Sequence, residues 1–590
     1  MTTTVVIFGG GMAGLSAAHE LVHRGYEVHV YEQEKKLGGK SANEYPSDLY
    51  PNKFPQPTGG REKLPGEHGF RFFPGFYRNI IATMDEIPNA SGSGPVSRDL
   101  VPSNWAGIAY PDFFVRFPRK SNLPPWDVLG RLRELVGKLQ FTPLDLARMA
   151  WFRLKYLTSG SLRRRYSYDK ISWKDFIELD SPHYSPRFVE FEKSIPRTMS
   201  AMAADETSAK IVGDIAMQFG LGYARPGNEP DRLLIGPTDG RWINPWRNYL
   251  AGQGVQFHLQ QKLVKFDYAK GAKEISAALI DGPSGMQKIA ANYYLAALPL
   301  EVMTAQVKQV PALGTDDAEL HKLVDTNAPK ATSWMTGTQF YLKEDVPMVD
   351  GHVFYPESEW ALSSVSQGQF WAQSGKKIQD AFGDGSVKGI ISAIISDWKK
   401  PGGGITALPA EEYTDRDALL EEVRRQLQVN LPGRFDLSPG NVCCAHLDSG
   451  VELKTSSTPA TNHHPLLIHP IGGLDFRPAA SGAIKNLFLA ADYVLTSTGL
   501  ATMEGANEAA RCAVNALLDE DDSPHVRCMV WELQEEPYFE PARKIDDLRF
   551  KQGRKQFMDS CPLSLLKNSP GLLDWVQELL KVPASLLIPP

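Results

Sequence analysis

The sequence predicts an α/β protein: a doubly wound parallel-sheet domain built from separated segments and interrupted by an inserted α+β domain. Three observations predict it. The chain opens with a strand, a helix and a second strand between Thr4 and Glu32. A short apolar strand and an alanine-rich helix return late, between Leu487 and Ala513. The long interval between them changes first to helical periodicity and then to clustered aromatics and β-formers.

The opening unit fixes the most. Val5, Val6 and Ile7 form a β-branched run that enters Gly9-x-Gly11-x-x-Gly14, a helix follows to Gly25, and a strand from Glu27 to Val30 closes on Glu32. Gly9 allows a tight turn, Gly11 lets the backbone approach a diphosphate, and Gly14 lets helix and strand pack closely. The helix N-terminus, through Met12 and Ala13, offers N–H groups to the anion. A carboxylate at Glu32 can accept from a ribose hydroxyl and repels a 2′-phosphate, so the Rossmann-type unit calls for FAD or NAD.

Next comes Leu37-Gly38-Gly39-Lys40. At this spacing it resembles the GG motif of FAD enzymes of the amine oxidase and carotenoid desaturase superfamily, and that resemblance implies FAD rather than NAD. Residues 41–65, rich in Pro, Gly and Asn, read as an irregular surface insertion. The segment Glu67-His68-Gly69-Phe70-Arg71-Phe72-Phe73-Pro74-Gly75-Phe76-Tyr77 then mixes charge, imidazole and aromatic rings. It resembles the flavin-adjacent stretch of phytoene desaturases, and more closely that of bacterial FAD oxidoreductases grouped with hydroxysqualene dehydroxylase. The resemblance implies that Glu67, His68, Gly69, Phe70 and Arg71 lie along the isoalloxazine. His68, Arg71 and Glu67 are the candidate catalytic groups, with His68 either a general base or a positioning imidazole.

From Pro124 to Lys170, Trp126, Leu129, Leu132, Leu135, Val136 and Leu139 recur at helical spacing, and ten basic against four acidic residues give a local charge of +6. Such basic amphipathic helices suit either a membrane interface or a solvated face of a substrate domain. Residues 186–228 continue helical, with Met199, Met202 and Met217. After Gly236 a helix carrying Trp246 and Tyr249 precedes strands at Val255–Leu259 and Leu263–Asp267 and a hairpin of Ile275–Ile280 with Lys288–Ala297. In the resembled family this order returns the chain to the FAD domain, with Leu263 and Val264 near the adenine. Between Val302 and Ala460 the pattern is that of an antiparallel sheet, where Trp334, Phe340, Phe354, Trp360 and Phe370 suit either a cavity wall or core.

The late strand and helix contain Ala491-Asp492-Tyr493 and Met503-Glu504-Gly505-Ala506. Asp492 can meet ribityl hydroxyls, and the helix N-terminus can face the flavin edge where charge collects on reduction. Both motifs resemble those of phytoene and ζ-carotene desaturases. The loop Val494–Gly499 departs from that pattern, so neither the acceptor nor the substrate carries over through it. Beyond Leu518 an acidic run opens a C-terminal extension whose last apolar cluster, Leu563–Pro590, suits docking on the body, a second subunit or lipid.

The expected organisation is an FAD-binding domain of 1–80, 231–300 and 470–518, a substrate domain of 81–230 and 301–469, and an extension of 519–590. A net charge of −6 argues against a nucleic-acid partner. Five cysteines without a CxxC pair suggest reduced thiols and no metal. The chain enters its first strand at once, without a signal segment, and is expected in the cytoplasm, free or at a membrane surface. The expected activity is FAD-dependent desaturation of a long apolar substrate (carotenoid, squalene-like or fatty acyl), with oxygen or quinone as acceptor and the oligomeric state open. The alternatives are amine oxidation, isomerisation or dehydroxylation on reduced FAD, and a flavin-binding scaffold.

Overall fold

The computed structural model describes residues 3–119, 136–224, 230–404, 406–433 and 435–559. One centre is a five-stranded parallel sheet in the order β5-β4-β1-β2-β3, formed by β1 (Thr4–Phe8), β2 (Glu27–Glu32), β3 (Gln256–Leu259), β4 (Tyr293–Ala296) and β5 (Leu487–Leu489). Successive side chains of a strand point to opposite faces. Val5 and Ile7 accordingly pack against α1 (Met12–Val22), α2 (Asn79–Glu86) and α3 (Met503–Glu520), while Val6 and Phe8 pack on the other side with Tyr294, Phe266 and Met303. The sheet is covered on both faces, as doubly wound sheets must be. Polar ties fix α1 to α3 within that layer: Asn507 Nδ2 donates to Ser16 Oγ at 2.8 Å, and Arg511 pairs with Glu20 at 2.9 Å.

The second centre is a seven-stranded mixed sheet. Its order is 442–447, 336–342, 389–395, 363–366, 351–354, 105–109 and 114–118. All pairings are antiparallel except that of Gly351–Phe354 with Trp105–Ala109. Helices from residues 143–224 form a separate apolar cluster around Phe152, Trp173 and Phe188.

Several expectations are corrected. The hairpin's second arm is Gly285–Ile289, and Tyr293–Ala296 crosses instead to the parallel sheet. The reason is burial: Tyr294, Leu295 and Ala296 are apolar and enclosed on both faces, whereas Met286 to Lys288 are exposed. Residues 41–65 are not simply surface, since Phe54 and Leu64 are buried against Phe382 and Trp371. The five aromatics suggested as one cavity wall are dispersed: Phe340 and Trp360 lie in one core cluster, Phe370 in another, and Trp334 packs edge-on against Trp398. Cys443, Cys444, Cys512 and Cys528 are free thiols.

The basic helical stretch is corrected most. Trp126, Leu129, Leu132, Leu135, Arg131 and Arg133 lie outside the described residues, as does the Leu563–Pro590 cluster. The cations from 148 to 170 do not form an open face. Arg148 pairs with Glu178, Arg153 with Glu192, Lys155 with Asp559, Arg163 with Asp546, Arg164 with Glu535, and Arg165 and Lys170 with Asp169 and Asp475. Three of the partners, Glu535, Asp546 and Asp559, belong to the C-terminal extension, whose helix Glu540–Lys551 lies on this region. No helix among the described residues is long and apolar enough to cross a membrane.

Asp546 is wholly buried and accepts from Gly160 N–H and from Arg163 Nε at 2.9 Å. Removing one partner of a buried pair strands the other charge, at a cost of about 3–5 kcal/mol. Asp546→Ala should therefore lower the unfolding midpoint and open the extension to proteases. An unchanged thermal transition and digestion pattern would remove the extension's docking role.

Candidate functional site

The turn between β1 and α1 is set by close approaches. A Cβ on Gly14 would sit 1.9 Å from Gly9 O, and one on Gly9, whose φ is +100°, would sit 2.4 Å from Ala297 O. Gly11 differs: its Cβ would meet only Gly39 Cα, at 3.9 Å. The helix that Gly11 opens has no side-chain cap and no acid in its first turn. An open cradle at an uncapped helix N-terminus fits a diphosphate, with N–H groups of Met12 and Ala13 as donors.

Glu32, at the end of β2, accepts from Gly10 N–H at 2.7 Å and Glu34 N–H at 2.9 Å. Burial raises its carboxyl above the usual range, and those two N–H groups work against the rise. The segment expected near the adenine runs beside it: Gln261 N–H donates to Glu32 O, Leu263 is buried, and Val264 O accepts from Gln306. Gly38 N–H donates to Gly10 O, and Gly39 packs on Gly11, so the GG motif closes one wall of the cradle. Lys40 Nζ donates to Pro465 O, and its charge works to lower the Asp492 carboxyl, which burial raises.

At the other end of the site, Thr502 caps α3 by accepting from Gly505 N–H at 3.0 Å. Gly505 is required for space, since a Cβ there would lie 2.3 Å from Leu500 O. The expectation for Glu504 is narrowed, because its carboxylate is consumed by α2, accepting from the N–H groups of Arg78, Asn79 and Ile80. Met503 and Ala506 flank it, partly buried. Behind this entry Arg477 donates to Gly499 O and to His469, and burial lowers its guanidinium to about 10. A cavity of about 480 Å³ opens beside Tyr493, lined by Leu300, Leu467, Leu474, Lys308 and Arg477 among others.

The 67–71 segment meets the second sheet. Glu67 accepts from Thr238 Oγ at 2.9 Å and Asn43 Nδ2 at 3.2 Å, and burial raises its carboxyl. Both contacts tie the enclosed Glu67 carboxyl to the turn before Asp239 and to the strand at Asn43. Arg71 donates to Lys40 O at 2.7 Å, which joins the segment to the GG wall. Burial lowers the Arg71 guanidinium, opposed by the charges of Glu67, Asp239 and Asp448. Gly69 approaches Ile394, and Phe70 packs edge-on against His352 at 4.7 Å. His68 Nδ1 is hydrogen-bonded to Asp448 Oδ2, and the His464 ring lies 5.6 Å from the His68 ring.

Sequence reasoning missed Asp448, His464 and His352. The only local signals are the turn Asp448-Ser449-Gly450 and the pair His463-His464, and nothing in either points to His68, 380 residues from Asp448.

An open, uncapped helix start at Gly11 and a carboxylate ending β2, both on a doubly wound parallel sheet, have the form of a dinucleotide-binding domain. The flavin containing amine oxidoreductase family model matches residues 12–518, and the chain belongs to that family, so its cofactor is FAD and its activity that of an FAD-dependent oxidoreductase. It is 22% identical to a zeta-carotene desaturase of Synechocystis, across 87% of this chain and 97% of the relative. Cyclohexylamine oxidase from Brevibacterium oxydans shares the fold, with a TM-score of 0.54 at 15% identity, covering 88% of this chain and 100% of that one. An oxidoreductase from Methanosarcina mazei does so with a TM-score of 0.54 at 14% identity and the same coverage.

Three variants test the cradle. Gly11→Ala should leave apoprotein stability within about 1 kcal/mol, because its Cβ meets little protein, yet block FAD uptake; Gly14→Ala should damage the fold itself. Normal FAD binding by Gly11→Ala would place the diphosphate elsewhere. Glu32→Ala loses a charged acceptor, a change of about 1.5–3 kcal/mol, so the FAD dissociation constant measured by flavin fluorescence should rise roughly ten- to a hundredfold.

Proposed function

We propose that the protein desaturates a long apolar substrate. Bound FAD supplies a two-electron acceptor for hydride. The chain's own residues hold the diphosphate at Gly11, the ribose at Glu32 and the ribityl chain at Asp492, and they present the 68–72 segment to the substrate.

The observation that carries this reading is the aromatic surrounding of His352, where Phe70, Phe72 and Phe354 pack around its ring at 4.7, 5.2 and 4.3 Å. Phe70 and Phe72 belong to the 68–72 segment, and such an apolar aromatic wall suits a hydrocarbon better than a charged amine. The zeta-carotene desaturase relative, matched over nearly its full length, supports the same substrate class. Oxygen or a quinone would reoxidise the flavin.

The test is anaerobic mixing of the FAD-loaded protein with ζ-carotene or squalene in phosphatidylcholine vesicles. The oxidised flavin band at about 450 nm should bleach, with a new double bond in the extracted product. Bleaching by primary amines alone would replace this reading with amine oxidation.

A further inference from the structure

We propose that His68 is the proton acceptor of the reaction, held in a single tautomer by Asp448, with His464 setting the charge of that pair. This rests on the desaturation reading above.

The geometry is that of an oriented base. Asp448 is wholly buried just beyond the strand Val442–Leu447, where its N–H donates to Gly337 O and its Oδ1 accepts from Gly450 N–H at 2.6 Å. Its other oxygen accepts a hydrogen bond from His68 Nδ1–H. A carboxylate on one ring nitrogen fixes the tautomer and leaves the other nitrogen as a lone pair. His68 is rooted by backbone packing, since a Cβ on Gly337 would sit 2.5 Å from His68 O. The ring itself is only partly covered, its side chain being 17% exposed. Arg71, three residues on, donates to Lys40 O, so the imidazole stands on the wall that continues into the diphosphate cradle.

The charges around the pair are Lys40, Glu44, Arg71 and His464, with His446 hydrogen-bonded to Glu44. Burial works to raise the Asp448 carboxyl, and the hydrogen-bonded His68 imidazole, the nearby His464 and the Gly450 N–H together overcome it, holding the group well below the usual range. The His464 imidazole is raised, chiefly by Asp448, and its side chain is 42% exposed at 3.9 Å from Asp448 Oδ1. Asp448 therefore faces two imidazoles, the mostly covered His68 and the more exposed His464.

The balance is simple. Desaturation takes two hydrogens from adjacent carbons. One leaves with its electron pair as hydride, which oxidised FAD accepts. The other leaves as a proton to His68 Nε2, and the electron pair of that C–H bond forms the new double bond. The substrate is oxidised by two electrons and the flavin reduced by two.

Two measurements test this on the FAD-loaded protein. Imidazole ¹⁵N spectra should show neutral His68 protonated at Nδ1 and bare at Nε2; protonation at Nε2 would overturn the proposal. In anaerobic stopped-flow reduction by ζ-carotene in phosphatidylcholine vesicles, His68→Gln should slow bleaching by about 100-fold or more. The acid limb of the pH–rate profile should move to lower pH in Asp448→Asn, which loses an anion, and to higher pH in His464→Gln, which loses a cation. Identical profiles in all three proteins would refute the assignment. Should His68→Gln lose its FAD, the half-exposed His464→Gln carries the kinetic test. If ζ-carotene fails to reduce the wild-type flavin, the desaturation reading falls, and the ¹⁵N tautomer still decides the His68–Asp448 pair.

Discussion

The close approach of three backbone segments at the first turn is the constraint on which the rest depends. Gly14 Cα faces Gly9 O, and Gly9 Cα faces Ala297 O, each nearer than any side chain allows. Ala297 follows β4, so the end of a strand almost three hundred residues away forms the floor of the amino-terminal loop. The cradle is consequently a property of the assembled sheet as well as of the local motif. This is why the open turn at Gly11, Glu32 at the end of β2 and the GG wall share one rigid frame. Groups that must be placed within a fraction of an ångström are best built on such elements.

Charge neutrality organises the other half of the molecule. The helices of residues 143–166 carry more cations than their own segment can balance, and the C-terminal extension brings the missing carboxylates. Arg163 with Asp546 and Arg164 with Glu535 are buried or half-buried pairs whose separation would strand a guanidinium. The extension lies beyond the part of the chain that matches the family, yet it is bonded into both halves. Gln218 donates to Gln534 O on one side, and Trp531 bonds Asn79 on the other.

The sequence made the cofactor frame legible because each of its parts has a local cause: a turn needing glycine, a helix start needing no cap, a strand ending in an acid. The substrate half was legible only as a class. Seven cations in a helical stretch look the same whether they meet lipid or carboxylates from residues 169–192, 475 and 535–559, and the answer lies in tertiary pairing. For the same reason the partners of Glu67, Thr238 and Asn43, are visible only in the folded chain. His68 gains a partner only when the strand ending at Leu447 is laid beside the one beginning at Thr336.

Asn79 is the meeting point of the whole chain. Its helix is capped by Glu504 from the start of α3, and its side chain exchanges hydrogen bonds with the backbone of Trp531, 452 residues downstream. Synthesis runs from the amino end, so the earliest helices leave the ribosome long before the groups that satisfy them exist. The nascent chain must wait with α2 uncapped and β1 lacking β4, its neighbour on one side. Maturation is therefore ordered in time: Glu504 and Trp531, translated late, seal a helix made early.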